Sequence, residues 1–322
     1  MIEISLCMIV KNEEKVLERC LKSIADLMDE IVIVDTGSTD RTKEIAGKYT
    51  DKIYDFEWID DFSAARNFSF SKATKDYIYA ADADEVLDEE NRQKFLEMKQ
   101  VLLPEIDIVQ MKYCNQLSQG TAYNFDEEYR PKLYKRLREF TWIEPVHEMV
   151  RLDPVVYDSD ISIQHLPETL HSGRDFRVFQ KHIKNGMRLS KRLHHMYAME
   201  LCISGGDEDI LEAEAYFTAS ASDSSRSMDE VKEAACIVAR AARLRGDSHT
   251  ILKMCLKDLL SEGSSEMCYE LGEYFLEKKD YEEAAMWYYN AMHETQSILN
   301  IHTSTDLPEK RYNECLTLNE RI

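Results

Sequence analysis

No run of apolar residues in this chain is long enough to cross a bilayer. The early stretch ISLCMIV is far short of the roughly 20 residues a spanning helix needs. Nor does a basic segment lead into a long apolar one at the start, so the chain reads as soluble and unsecreted, with a cytoplasmic setting. The eight cysteines include no Cys-x-x-Cys pair. Cys7, Cys20 and Cys114 fall in periodic apolar patterns and read as reduced core residues rather than disulfides or zinc ligands. The Gly-x-Gly-x-x-Gly fingerprint and the Walker-type Gly-Lys loop are both missing, so neither a dinucleotide fold nor a P-loop is supported. Positive charge is scarce: 40 Lys and Arg stand against 61 Asp and Glu, a formal charge of −21. That weighs against nucleic acid or anionic membrane as a main partner. It would also repel a diphosphate, unless a metal ion or a local Arg reversed the sign of the potential.

What is present is enough apolar material for one large domain or two smaller ones, with 322 residues, 44% of them hydrophobic. The first half alternates. EISLCMIV, DEIVIVD, DKIYDF, DYIYAAD and IDIVQMKY read as strands. EEKVLERCLKSIADLM, STDRTKEIAGKY, FSAARNFSFSKA and DEENRQKFLEMKQVL read as the helices between them, the second opening on Ser and Thr caps. This order predicts an open, mostly parallel α/β sheet, in which ligands bind outside the carboxyl ends of the strands. Asp35 and Asp82 both fall at such ends. From about Tyr129 come shorter β-rich pieces, YRPKLYKR, VHEMVRL and SDISIQHL.

After about His171 strands cease, and helices are expected over 174–193, 196–204, 209–221, 229–244, 248–261, 265–277 and 281–294. The last pair matches the tetratricopeptide pattern, with Leu271, Gly272 and Phe275 in one helix and Ala284, Tyr288 and Ala291 in the next. A shift of 33 residues back finds a weaker copy at Ala239, Ala242, Ile251 and Cys255, and a looser one places Ala213 and Phe217. Small residues at these points let paired helices approach closely.

Four stretches of the first half carry candidate chemistry. MIVKNEE (8–14) follows the first strand, where Asn and Glu also serve as ordinary helix caps. VIVDTGSTD (32–40) sets Asp35 before a tight turn rich in hydroxyls. The carboxylate there could accept a hydrogen bond from an imide N–H or a ribose hydroxyl, or simply serve the turn. In FSAARN, Arg66 stands on a helix of small and apolar residues, where the plainest partner is a nearby acid such as Asp61. In YIYAADADEV, alternate side chains of Asp82-Ala83-Asp84 can converge on one hard cation, Mn²⁺ or Mg²⁺, bridging to phosphate oxygens. A solvated acidic turn is the bland alternative.

Taken in order, with Asp35 about 25 residues after the first motif and Asp-x-Asp about 47 later, these stretches resemble the nucleotide-sugar half of a family 2 glycosyltransferase of the GT-A fold. The resemblance covers roughly residues 1–170. With FSAARN, WIEPVHE and IQHLP, it is strongest toward bacterial members such as lipopolysaccharide-core glucosyltransferases and peptide S-glycosyltransferases. It implies a Rossmann-like mixed sheet over 1–170, an inverting transfer, and a UDP-sugar donor, with the all-α tetratricopeptide-like domain taking 171–322. It further implies that the backbone of Ile9 to Lys11, with Glu13 and Asp35, holds the uridine. Arg66 would contact the diphosphate or position the Asp-x-Asp loop. Asp82 would face ribose and metal, Asp84 would ligate the metal, and His165 would stand near metal or diphosphate. For the base, Glu148 occupies the family's His-Glu position, with His147 and Glu144 as alternatives. Relatives commonly have Gly where this chain has Glu144. Glu85 has no assigned role.

The expected reaction moves a hexose or N-acetylhexosamine to a peptide, protein or glycan acceptor, with the helical tail gripping the acceptor or a second copy in a homo-oligomer. Two other readings compete. A sugar-phosphate nucleotidyltransferase would want a Gly-rich basic loop after strand one, where this chain reads KNEE. A scaffold would use the repeats alone and leave the transferase half inert.

Overall fold

The computed structural model describes residues 1–114, 127–138, 142–147, 149–150, 154–167, 172–259 and 262–319. The chain divides into two compact units, Met1–His171 and Ser172–Ile322.

In the first unit the order is β1 (Ile4–Val10), α1 (Leu17–Ile24), β2 (Glu30–Asp35), α2 (Thr42–Ala46), β3 (Ile53–Asp55), α3 (Phe62–Lys72), β4 (Tyr77–Ala80), β5 (Glu85–Val86) and α4 (Glu89–Val101). There follow β6 (Ile108–Cys114), β7 (Glu128–Lys135), β8 (Trp142–Ile143), β9 (Met149–Val150) and β10 (Val156–His165). Strands β8 and β9 form a separate pair, and the others form one sheet in the order β3-β2-β1-β4-β7-β6-β10-β5. Neighbours from β3 to β4 are parallel, as expected. The sheet then becomes mixed: β7 runs antiparallel to both β4 and β6, and β5 antiparallel to β10. Both faces are covered, which explains the unbroken apolar runs. Leu6 and Met8 of β1 pack with Leu17, Leu21, Phe95 and Met111, while Cys7 between them packs on the other face with Phe70, Tyr134 and Trp142.

Three strands lie between β4 and β5 in the sheet, yet only residues 81–84 join them in the chain. Four strand spacings on a flat sheet take about 19 Å, and five residue steps reach at most about 18 Å. The joining strap is not even extended, since Glu85 N–H donates to the Asp82 carbonyl at 3.3 Å. The sheet must therefore curl to bring β5 back toward β4. Lys132 on β7 accordingly reaches Glu85 on β5, past β6 and β10.

The opposite ends of the strands are pinned by Glu30, which is buried and accepts hydrogen bonds from Ser5 Oγ, Lys52 Nζ, and the backbone N–H (2.8 Å) and hydroxyl (2.9 Å) of Thr74.

The second unit is helical throughout its described residues: α5 (Ser172–Lys184), α6 (Lys191–Ser204), α7 (Asp207–Ser220), α8 (Met228–Leu244), α9 (Ser248–Leu259), α10 (Ser265–Glu277), α11 (Tyr281–His293) and α12 (Asp306–Asn319). The single helix expected over 174–193 is two. Gly186 takes φ +86°, Met187 N–H bonds back to the His182 carbonyl at 3.0 Å, and Gly186 N–H bonds to Ile183 at 2.9 Å, which stops α5. Ser190 then caps α6 by accepting from Leu193 N–H. Helix α12 lies beyond the last helix expected from the sequence. The tetratricopeptide pair is α10 and α11, with Gly272 against the ring of buried Tyr288.

Candidate active site

The loops after β1 and β2 are built from one another. Thr36 N–H bonds to the Val10 carbonyl, next along β1 from Ile9. Asn12, at φ 57°, accepts from Thr39 N–H at 2.8 Å and donates its own N–H to Ser38 Oγ. Glu13 N–H reaches Thr42 Oγ1 at 2.7 Å, and Glu14 N–H reaches Asp40 Oδ2 at 3.1 Å. The capping expectation for KNEE is thereby corrected: α1 starts after Val16 with no side-chain cap, and Asn12 and Glu14 serve the neighbouring loop instead. Ser38 and Thr39 likewise bond across rather than capping α2. Lys11 is exposed at this junction.

Asp35 is 1% exposed, at the end of β2. Its Oδ1 accepts from Gly37 and Ser38 N–H at 2.9 Å each, closing the turn that Gly37 makes possible at φ +101°. Its Oδ2 is buried with no hydrogen-bond partner among the described residues. The turn thus uses one carboxylate oxygen and leaves the other without a hydrogen-bond partner among them.

On α3, Asp61 is occupied as the N-cap, accepting from Ala64 N–H at 3.0 Å and Ser63 Oγ at 2.6 Å. Arg66 turns instead to Asp82, 3.4 Å from Oδ1, with its guanidinium 5.4 Å from the centre of the Trp142 ring. Asn67 clamps the Trp142 backbone with two hydrogen bonds of 2.8 and 3.0 Å. A second cation, Lys132 of β7, pairs with Glu85 and stands 3.9 Å from Asp82 Oδ2. Partial burial pushes the half-exposed Asp82 carboxyl up, but Lys132, Arg66, Arg130 and His165 outweigh it and hold Asp82 well below the usual carboxylate range. Burial pushes Glu85 up to about 7 against the pull of Lys132, with Asp82 and Asp84 adding repulsion.

Asp84, two residues on, has a different partner: its Oδ2 lies 3.2 Å from His165 Nε2, at the end of β10. Ala83 between the two aspartates is buried among the core residues. The His165 ring sits 4.9 Å from that of Tyr113, over which Arg130 and Lys132 also lie at 4.1 and 5.1 Å. The sequence motifs contain Arg66, Asp82, Asp84 and His165, with Glu85 present but without a role, whereas Lys132, Arg130 and Tyr113 lie outside them. The one available signal was the period-2 spacing of Arg130 and Lys132 in YRPKLY. Among the described residues no three His, Cys, Asp or Glu side chains are grouped as a metal cage. The donor set Asp84 with His165, backed by Asp82, suits a divalent cation that takes its remaining ligands from phosphate oxygens.

Of the three base candidates, Glu148 lies outside the described residues. Glu144 and His147 stand in one loop, both with left-handed backbones, φ 70° and 47°. A glycine is the unstrained choice at such a position, so Glu144 holds a backbone conformation that a glycine would take more easily. The Pro145 carbonyl accepts from Phe62 N–H at 2.9 Å, fixing this loop to the start of α3.

The family described as Glycosyl transferase family 2 matches residues 5–150, the stretch that carries Asp35, Arg66, the strap and this loop. The chain contains a family 2 glycosyltransferase domain. Similar proteins include glycosyltransferase SunS of Bacillus subtilis, 33% identical over 48% of this chain and 35% of SunS. A TPR repeat-containing protein of Synechococcus elongatus is 51% identical over 27% of this chain and 22% of its own length. The chain thus spans about a third or less of these curated relatives. Among solved structures, glucosyl-3-phosphoglycerate synthase of Mycobacterium tuberculosis aligns with a TM-score of 0.42 at 14% identity, over 59% of this chain and 82% of that one. Among the described residues, no helix flanking or following the glycosyltransferase domain is long and apolar enough to cross a membrane.

Proposed function

We propose that the chain is a metal-dependent inverting glycosyltransferase that moves a hexose or N-acetylhexosamine from a UDP-sugar to a peptide, protein or glycan acceptor. The observation that carries this reading is a carboxylate and a charged strap at the same ends of β2 and β4, the parallel strands on either side of β1: Asp35 with a partnerless buried oxygen, and Asp82 and Asp84 flanked by Arg66, Lys132 and His165. These local cations also resolve how a chain of net charge −21 receives a diphosphate.

In this reading the backbone from Ile9 to Lys11, with Glu13 and Asp35, holds the uridine, and Asp35 Oδ2 accepts from its imide N–H or a ribose hydroxyl. Arg66 steadies Asp82 and faces the diphosphate. Asp82, Asp84 and His165 would hold Mn²⁺ or Mg²⁺, which when bound neutralises the departing nucleoside diphosphate. Glu148, or alternatively His147 or Glu144, takes the acceptor proton as the acceptor's oxygen, sulfur or nitrogen attacks the anomeric carbon. The sugar–phosphate bond breaks on the opposite side, and its electron pair leaves on the diphosphate oxygen. A repeat array commonly offers a concave face to peptide segments, which favours a peptide or protein acceptor and gives a second copy of the chain a place to dock. The free, mostly buried cysteines suit a cytoplasmic setting.

The test is a panel of UDP-sugars scored for Mn²⁺-dependent hydrolysis by the wild type and by Asp84→Ala, with circular dichroism as the check on folding. One donor should be turned over by the wild type and not by the folded variant. Full turnover by Asp84→Ala would remove the metal assignment, and no binding of UDP with Mn²⁺ at millimolar concentration would remove the donor assignment.

A further inference from the structure

Lys132 owes its place to an irregularity in β7. Gln110 of β6 pairs with Pro131 and the adjacent Val109 pairs with Leu133, so Lys132 is an extra residue with no partner opposite. Such a bulge re-aims the side chain it carries, and bulges concentrate beside functional sites. Here it breaks the alternation of the strand: Lys132 and Leu133 are both buried, one after the other. The Lys132 ammonium lies 5.1 Å from the centre of the Tyr113 ring and against Glu85, itself 2% exposed, within 3.9 Å of Asp82.

This pair is poorly explained as a source of stability. A buried ion pair gains little over apolar residues of the same volume, because both charges must be desolvated. Glu85 is not fully satisfied either, since its Oε2 is buried without a hydrogen-bond partner among the described residues. The pair does place a fixed positive charge beneath the first aspartate of the strap. The side chain of Asp82 is 48% exposed and that of Lys132 only 7%, so an incoming ligand meets the carboxylate and not the ammonium.

We propose that Lys132 is a positioning residue for the donor site, acting through Asp82, and that Glu85 is the buried anchor that holds its ammonium there. This rests on the donor-site reading above. Lys132 fixes which way the Asp82 carboxylate faces, and Glu85 keeps the lysine from collapsing fully onto Asp82 and occupying it. The bulge exists because neither register of an unbroken β7 would bring residue 132 under the strap while keeping Leu133 in the core.

The experiment measures Mn²⁺-dependent UDP binding by calorimetry on the full chain, alongside thermal melting. The variants are Lys132→Arg, Lys132→Met, Glu85→Gln and the double variant Glu85→Gln/Lys132→Met. Lys132→Met should weaken UDP binding about tenfold or more, and Lys132→Arg should recover most of it. The double variant leaves no lone buried charge, so it should melt like the wild type and still bind UDP about tenfold more weakly. A double variant that binds UDP like the wild type would overturn the proposal, because the pair would then be packing alone. Equal UDP affinity in folded Lys132→Met would overturn it as well. If the wild type itself fails to bind UDP with Mn²⁺, the donor-site reading falls and takes the proposal with it, an outcome distinct from the other two.

Discussion

Lys279 stands 33 residues after Gly246, and the two hold the same left-handed turn, φ 64° and φ 72°. In each, the following residue donates its N–H five positions back, Asp247 to Ala242 at 2.8 Å and Asp280 to Phe275 at 3.0 Å. The turn residue itself donates three back, to Arg243 and Leu276. A repeat that is faint in side chains is therefore plain in the backbone that links α8 to α9 and α10 to α11.

Lys279 pays for a conformation that glycine adopts without strain, since a left-handed L-residue costs about 1–2 kcal/mol. Lys279→Gly should stabilise the helical unit by about 0.5–1 kcal/mol, after the extra entropy of glycine in the unfolded chain is subtracted. Thermal melting checks this, and a lowered midpoint would contradict it.

Gly272 makes the opposite case. A methyl group there would lie 2.5 Å from Cε1 of Tyr288. That ring cannot retreat, because it is buried and its hydroxyl is bonded to Glu273 at 2.7 Å. Overpacking costs up to about 3 kcal/mol, against about 1 kcal/mol gained in helix propensity. Gly272→Ala should lower stability by about 2 kcal/mol in denaturant unfolding, and the double variant with Tyr288→Phe should recover part of it.

Asp35→Asn separates the two oxygens of that side chain. The amide oxygen can still close the turn to Gly37 and Ser38, while an NH₂ group replaces Oδ2. Where Oδ2 meets the imide N–H, a donor then faces a donor, which should weaken UDP binding by about 1–3 kcal/mol and leave the melting midpoint nearly unchanged. Calorimetry with UDP measures the first and circular dichroism the second. Unchanged UDP affinity would place the uridine elsewhere.

Glu30 gives a pH dependence. Burial alone would raise its pKa, but Lys52, Ser5 and Thr74 outweigh that and lower it from 4.5 to about 2. A carboxylate with a depressed native pKa binds its proton more tightly when unfolded. Its stabilisation is then fully present above the unfolded value and is lost as pH falls from about 5 toward 2. Wild type should melt above Glu30→Gln at neutral pH, and the gap should narrow steadily below pH 5. A gap unchanged at pH 3 would refute this.

The strands with both faces covered were legible, because β1, β2 and β4 read as continuous apolar runs bounded by turns. The direction and neighbours of β7 were not: a period-2 pattern carries neither, and β7 enters the sheet antiparallel between two strands that precede it in the chain. The stop at Gly186 and the cap at Ser190 were written in KNGMRLS, but the helical periodicity on either side masked them. Helix α12 escaped notice because only Pro308 and Cys315 of its residues are buried, too few to form an apolar stripe. The site divides the same way. Asp35, Arg66, Asp82, Asp84 and His165 belong to local motifs, whereas Lys132, Tyr113 and Glu85 meet only because the sheet curls, which no local pattern announces.

The strap from Ala81 to Asp84 has one further consequence. It is a clasp between an interior strand and the far edge of the sheet, and its residue count limits how far those two strands can part. Whatever bridges Asp82 and Asp84 therefore also fastens the clasp. Ligand occupancy and the breathing of the sheet become a single equilibrium, and slower amide exchange along β5 and β10 would be its sign at a distance from the ligand.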